Sequence, residues 1–297
     1  MTDALNQVDL AFVVDTTGSM GAFIDAARRQ MTDTLRSLAA GADFAPDLRV
    51  AVVEYRDHPP QDTTFVFRPH PFEGDLKKVQ KVIDKLAPGG GGDGPEAVYD
   101  GVAACEGLDW RPHACRVAVL IGDAPPHGTG TGGDGFRDGC PCGLTPASVT
   151  AKLEGAGIKL YALGLTRGLA ASFAPLARLT GGEYHDAASG TVAVEAIRTV
   201  VAREFADVES DRKVLTAWRS RNDWNLDELS EAIGVTPGRV AASLSRLGRR
   251  GFLRQPATRP GELTNPGCYP EPSDPPPGSD PSSPNSWRSV FGWIIGK

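Results

Sequence analysis

Val8-Asp9-Leu10-Ala11-Phe12-Val13-Val14 runs straight into Asp15-Thr16-Thr17-Gly18-Ser19-Met20, and this junction decides the fold. A nearly continuous apolar run without clean alternation reads as a parallel strand buried on both faces. The loop that follows offers an acid at position 15 and hydroxyls at positions 17 and 19. Oxygens at alternate positions of an extended turn can face one point, and a hard divalent cation prefers such ligands. The simpler alternative is a strand-to-helix turn whose hydroxyl caps the helix.

Outward from that junction, strand-like segments recur at 8–15, 48–55, 63–68, 116–122, 159–164 and 183–185. Helix-like segments separate most of them. In the first, Phe23, Ala27, Met31, Leu35 and Leu38 recur at helical spacing. Residues 75–86, 96–108, 146–156, 170–179 and 192–204 read the same way. Only the second and third strands are joined by a short turn-like stretch, Arg56-Asp57-His58-Pro59-Pro60-Gln61-Asp62, which predicts an antiparallel hairpin at one edge. The rest predicts right-handed crossovers and an α/β fold with a doubly wound, mostly parallel sheet. Ligands of such sheets sit at the carboxyl ends of the strands, where Asp15 falls.

The D-x-T-x-S pattern after an apolar strand resembles the metal-ion-dependent adhesion site (MIDAS) of von Willebrand factor A domains. Two later segments fit the same family. Gly89-Gly90-Gly91-Gly92-Asp93-Gly94-Pro95-Glu96 lies between two helices, where the family places a loop with a third ligand. That ligand is commonly threonine; Asp93 takes its position here, similar to the G-G-G-D-x-P-E variant of the hemicentin and alpha-kinase-associated branch. Leu120-Ile121-Gly122-Asp123 ends the fourth strand on an acid matching the family's last site aspartate. The resemblance covers residues 8–205. It implies Thr17 and Ser19 as direct ligands, Asp15 and Asp123 as direct or water-mediated ones, and Asp93 completing the set. The implied cation is Mg²⁺, with Mn²⁺ or Ca²⁺ as alternatives. An open coordination position would then ligate a carboxylate of a protein partner.

We therefore expect a von Willebrand A domain at 1–205 and a second unit at 206–265. Asn225 precedes Leu226 with Glu228 three residues on, a capping-box pattern, and Thr236-Pro237 starts another helix as N-cap and first position. Val240, Leu244 and Leu247 form its inward stripe, and 251–255 and 261–264 read as two strands of a wing. This unit resembles a winged helix-turn-helix. Residues 212–254 hold nine Arg or Lys against four Asp or Glu, a local excess in a chain of net charge −6. Arg239, Ser243 and Arg246 lie off the apolar stripe, and Arg249, Arg250 and Arg254 lead into the wing, which makes all six candidate DNA contacts. The alternative is a protein-docking module with a solvated basic face.

Residues 266–286 are rich in Pro and Ser and read as a disordered linker. At 287–297 the composition changes: Trp287, Val290, Phe291, Trp293, Ile294 and Ile295 form a candidate docking peptide for a second protein, such as a shell or scaffold. Fold-back and weak membrane contact are its alternatives. In the Gly-rich stretch after Asp123, His127, Cys140 and Cys142 form a candidate Zn²⁺ site lacking an assigned fourth ligand.

The five cysteines are an odd number and suit no secreted disulfide framework. The first residues lack a basic and then apolar leader pattern, and no run approaches the roughly 20 apolar residues of a membrane span, so a cytoplasmic location is expected. No P-loop, strand-to-helix dinucleotide fingerprint or G-x-S-x-G is present, and the resemblance commits Thr17 and Ser19 to the metal. A binding protein and not an enzyme is expected: a Mg²⁺-dependent adaptor. The rival is a winged-helix DNA-binding regulator with the A domain as sensor or oligomerisation module.

Overall fold

The computed structural model describes residues 2–221 and 224–253. Its first elements are helix α1 (Thr2–Leu5) and strand β1 (Gln7–Asp15), which lies between β2 (Asp47–Tyr55) and β4 (Cys115–Gly122), parallel to both. On one side β3 (Phe67–Glu73) closes the edge antiparallel to β2; on the other β5 (Lys159–Gly164) and β6 (Tyr184–Asp186) continue in parallel. The order among the described residues is β3-β2-β1-β4-β5-β6. The chain moves one way from β1 to β2 and later resumes on the opposite side at β4. That reversal opens a crevice at the carboxyl ends of β1 and β4.

Helices cover both faces. Val8, Leu10, Phe12 and Val14 of β1 join Phe23, Ile24 and Leu35 of α2 (Gly21–Gly41), Ile83 of α3 (Leu76–Lys85) and Ile197 of α7 (Gly190–Ser220). Ala11 and Val13 point the other way, toward Val98 of α4 (Val98–Ala103), Leu153 of α5 (Pro146–Gly155) and Phe173 of α6 (Ala170–Leu179). Burial on both faces is why the run 8–14 is apolar throughout.

The hairpin forms at the expected edge, but its second strand is Phe67–Glu73 and not 63–68. Pro69 and Pro71 read as strand breakers in the sequence. An edge strand tolerates them because it need not donate on its open side. Helix α7 runs unbroken from 190 to 220, so the division expected at 205/206 falls inside a continuous helix.

After α7 come α8 (Leu226–Ile233) and α9 (Pro237–Arg249), two helices joined by a short turn. Asn225 caps α8 by accepting from the Glu228 N–H at 2.9 Å, and Gly234 closes it in the left-handed conformation. A small core joins Leu5 to Val214, Leu215, Trp218, Leu229, Val240, Leu247 and Phe252. Arg250 donates to the carbonyls of Leu5 (2.7 Å) and His113 (2.9 Å). These residues precede β1 and β4, so the pair docks at the amino ends of the strands, opposite the crevice.

Gly251 to Leu253 form a turn and bend where a wing strand was expected; the second wing strand, the linker at 266–286 and the peptide at 287–297 lie outside the described residues. No helix among the described residues is long and apolar enough to cross a membrane.

The proposed DNA face is corrected in part. Ser243 is buried and bonds Ser210 (3.1 Å), Arg246 grips Asp211 (3.0 and 2.7 Å), and Arg250 is only 8% exposed. These three side chains tie α9 to its neighbours. Arg239 and Arg249 are exposed, and Arg254 lies outside the described residues.

Candidate metal centre

Strand β1 buries two carboxylates, one near each end, and their surroundings differ. Asp9 accepts from Arg49 Nε (3.0 Å) and Nη2 (2.8 Å), and from the Arg111 backbone N–H (2.8 Å) and Nε (2.9 Å). Asp15, at the carboxyl end, accepts through Oδ1 from the Thr17 N–H (2.8 Å) and hydroxyl (2.6 Å), while its Oδ2 is buried with no hydrogen-bond partner. It has no salt-bridge partner among the described residues. Burial pushes its carboxyl up to about 7, with the charge of Asp123 adding to the effect.

The same deficit extends around the crevice. Glu96 is pushed up to about 10, first by burial and then by the charges of Asp15, Asp57, Asp93 and Asp123. Glu96 Oε2, Asp57 Oδ2 and Asp93 Oδ1 are likewise buried without a partner. Other buried acids are matched: Asp211 by Arg246, and Glu204 by Lys159 (2.7 Å) and the Tyr161 hydroxyl. Unpaired buried carboxylates are costly, and they gather at the end of the sheet where the crevice opens. An all-oxygen donor set of this kind fits a hard divalent cation.

Backbone bonds lock three loops around this point. The Gly18 N–H donates to Gly90 O (3.3 Å) and Gly89 N–H to Thr16 O (3.0 Å). On the far side Glu96 N–H donates to Pro125 O (3.0 Å) and Ala97 N–H to Arg56 O (2.8 Å). Gly90 and Gly91 have φ of +75° and +80°; a Cβ on Gly91 would stand 2.8 Å from Glu96 Oε1, and one on Gly90 only 1.7 Å from Asp62 Oδ2. We expect Gly90→Ala to lower stability by more than the roughly 1–2 kcal/mol of left-handed backbone alone. Thermal unfolding checks this; an unchanged midpoint would show that the loop does not need glycine there.

The structure brings Asp15, Thr17 and Asp123 to the crevice and leaves Ser19 exposed at its mouth, in the turn Gly18–Met20. Asp93 leans toward the 123–145 loop. Its Oδ2 accepts from the Gly135 N–H (2.6 Å), and it groups with His127 and Asp134. Sequence reasoning missed Glu96 and Asp57 as members of the cluster. Glu96 stood within the Gly-rich motif, and Asp57 followed the second strand, but neither position announces a buried acid.

The candidate Zn²⁺ set is corrected. The His127 ring spans Asp57 Oδ1 (2.7 Å) and Asp134 Oδ1 (3.0 Å), so both nitrogens are taken. Burial alone would lower its pKa, yet the two carboxylates raise it overall. Cys140 and Cys142 lie instead with His58 and Asp100.

Residues 9–126 match the family model of the von Willebrand factor A domain. With the sheet order above, this match supports a von Willebrand factor A domain in the chain. Among curated proteins the chain is 32% identical over 142 residues to the alpha-protein kinase vwkA of Dictyostelium discoideum, covering 46% of this chain and 22% of that protein. Among solved structures, the pilus adhesin SpaC of Lactobacillus rhamnosus GG in its open conformation has a TM-score of 0.50 at 14% identity, covering 68% of this chain and 30% of that one. A von Willebrand factor type A structure from Catenulispora acidiphila has a TM-score of 0.47 at 15% identity, covering 67% of this chain and 43% of that one. The chain thus spans 22% of the kinase and 30% of the adhesin, and the structural likeness at such identities shows the fold alone.

Proposed function

We propose that this chain is a protein-binding adaptor whose A domain holds Mg²⁺ in the crevice between β1 and β4 and offers it to a carboxylate of a partner. The unpartnered, buried Asp15 Oδ2 carries this reading, on a strand whose other buried acid is matched by two arginines. Asp15, Thr17, Ser19 and Asp123 are the residues that would hold the ion, with Asp93 and Glu96 adding negative charge around it. A bound cation supplies positive charge to the cluster and a coordination position for an anionic group. Asp15 orients the Thr17 hydroxyl through their 2.6 Å bond, and exposed Ser19 stands where a partner would approach.

Recognition suits these residues better than catalysis. The imidazole in the region, His127, is buried and fixed between two carboxylates, with no free nitrogen for a base. One structural neighbour is named as an adhesin, which agrees with a binding role; the kinase activity in the name of vwkA stays with that protein. The helix pair leaves the crevice face clear. The hydrophobic peptide at 287–297 would tie the A domain's partner to a second protein. Against the DNA regulator stands the inward packing of Ser243, Arg246 and Arg250.

Capture from a lysate of the native host tests this, using intact chain in Mg²⁺ and in EDTA. A protein retained only in Mg²⁺ and lost with Asp15→Ala plus Ser19→Ala is the expected result. Proteins retained equally in EDTA would overturn it, and defined duplex DNA retained in both would favour the regulator.

A further inference from the structure

A second group of ligand-type atoms lies beside the acidic crevice. A ring nitrogen of His58, a carboxylate oxygen of Asp100 and the sulfurs of Cys140 and Cys142 all stand within 4.8 Å of one another. They come from three separate segments: the β2–β3 connection, α4, and the loop at 123–145. His58 Nε2 and Asp100 Oδ2 are 3.0 Å apart, Cys140 Sγ is 3.0 Å from the same oxygen, and Cys140 Sγ is 3.5 Å from His58 Nε2. His58, Asp100 and Cys140 are buried, whereas Cys142 is exposed and gives the group a side open to solvent.

We propose that His58, Asp100, Cys140 and Cys142 form a structural Zn²⁺ site that staples the 123–145 loop to α4 and to the β2–β3 connection. Zinc bonds of about 2.0 Å to nitrogen or oxygen and about 2.3 Å to sulfur give tetrahedral edges of roughly 3.3–3.8 Å. The observed separations approach those edges, so small shifts would admit the ion. The donor set of two sulfurs, one nitrogen and one oxygen is borderline-soft and suits Zn²⁺, whereas Mg²⁺ takes oxygen almost exclusively. The two sites therefore sort different cations by chemistry. Four protein ligands leave no open position, which is the mark of a structural site.

The loop has a reason to need such a staple. Between β4 and α5 it contains neither helix nor strand, and Gly128, Gly130, Gly133, Gly139 and Gly143 all adopt positive φ. Its buried apolar contacts are few; Phe136 packs edge-on against the rings of His58 (5.8 Å) and His127 (4.8 Å). Long connections without secondary structure in compact domains are usually functional loops or disordered segments. Cys140 and Cys142 flank one proline, a spacing too tight for an unstrained disulfide but open to shared ligation of one ion. The two sites also meet: Asp57, part of the acidic cluster, accepts the His58 backbone N–H at 2.6 Å.

The full chain should be purified from zinc-supplemented cells, desalted, and its zinc measured by plasma mass spectrometry. About one zinc per chain is expected, falling at least tenfold in Cys140→Ser plus Cys142→Ser, since even changes to the residues that merely orient zinc ligands cost roughly 10–100-fold in affinity. Asp15→Ala should keep its zinc, which separates this site from the Mg²⁺ site. Should the double variant not fold, Co²⁺ added to metal-stripped natural chain gives the answer alone: a thiolate charge-transfer band with tetrahedral ligand-field absorption is expected. Zinc-free chain with no thiolate band, full zinc in the folded double-cysteine variant, or zinc lost in Asp15→Ala would each overturn the proposal.

Discussion

The Asp15→Asn chain is expected to be more stable than the natural chain in EDTA at pH 8, by on the order of 2–4 kcal/mol, and to take up no Mg²⁺. Removing a buried charge usually harms a protein because its partner is left behind. Here no side-chain cation is left behind. Asparagine keeps the carbonyl that accepts from the Thr17 N–H and hydroxyl. Each pKa step is worth about 1.4 kcal/mol. A fully buried carboxyl moved from 3.8 to about 7 is therefore strongly penalised once ionised.

The sign sets the pH profile. Because the folded state holds the Asp15 proton more tightly, its contribution is whole below about pH 4 and is lost as pH rises through about 7. Glu96, raised to about 10, continues the decline at higher pH in both chains. The advantage of Asp15→Asn should thus grow between pH 4 and 7 and level off by pH 8. Urea unfolding of both chains at pH 4, 6 and 8 reads this directly. Equal stability at pH 8 would mean that Asp15 has a partner in solution.

The opposite outcome is expected at the other end of the sheet. Asp211→Ala should cost about 3–5 kcal/mol, since it strips a buried carboxylate from Arg246 and Arg250. Arg246 meets Asp211 at 2.7 Å, Arg250 stands 3.6 Å from it, and both side chains are largely buried. The helix pair would then loosen from α7 and from the loops before β1 and β4. Arg239→Ala, on the exposed face of α9, should change stability by no more than about 0.5 kcal/mol. A loss below about 1 kcal/mol for Asp211→Ala would show that α9 is held by its apolar stripe alone.

Much of the A domain was legible because its signals are local. The run 8–14 is apolar on both faces because both faces are covered, and Asp15, Thr17 and Asp123 occur where strands β1 and β4 end. What the sequence hid depends on partners far along the chain. Asp9 and Asp15 look alike in sequence, and only Arg49 and Arg111 distinguish them. Arg246 looked free because Asp211 lies on another helix, 35 residues away. His127 looked like a companion to Cys140 because it is near in sequence, whereas His58, 82 residues away from Cys140, is near in space. The edge strand was expected at 63–68, ending before Pro69, and it runs instead over Phe67–Glu73 because its open side makes Pro69 and Pro71 tolerable.

Calorimetric titration of the metal-free chain with Mg²⁺ at pH 7.5 tests the central claim most directly. Saturable binding of one ion per chain is predicted, with a heat that depends on buffer because protons leave Asp15 and Glu96. The signal should vanish in Asp15→Ala plus Ser19→Ala. No saturable heat in the natural chain, or an unchanged isotherm in the double variant, would contradict it.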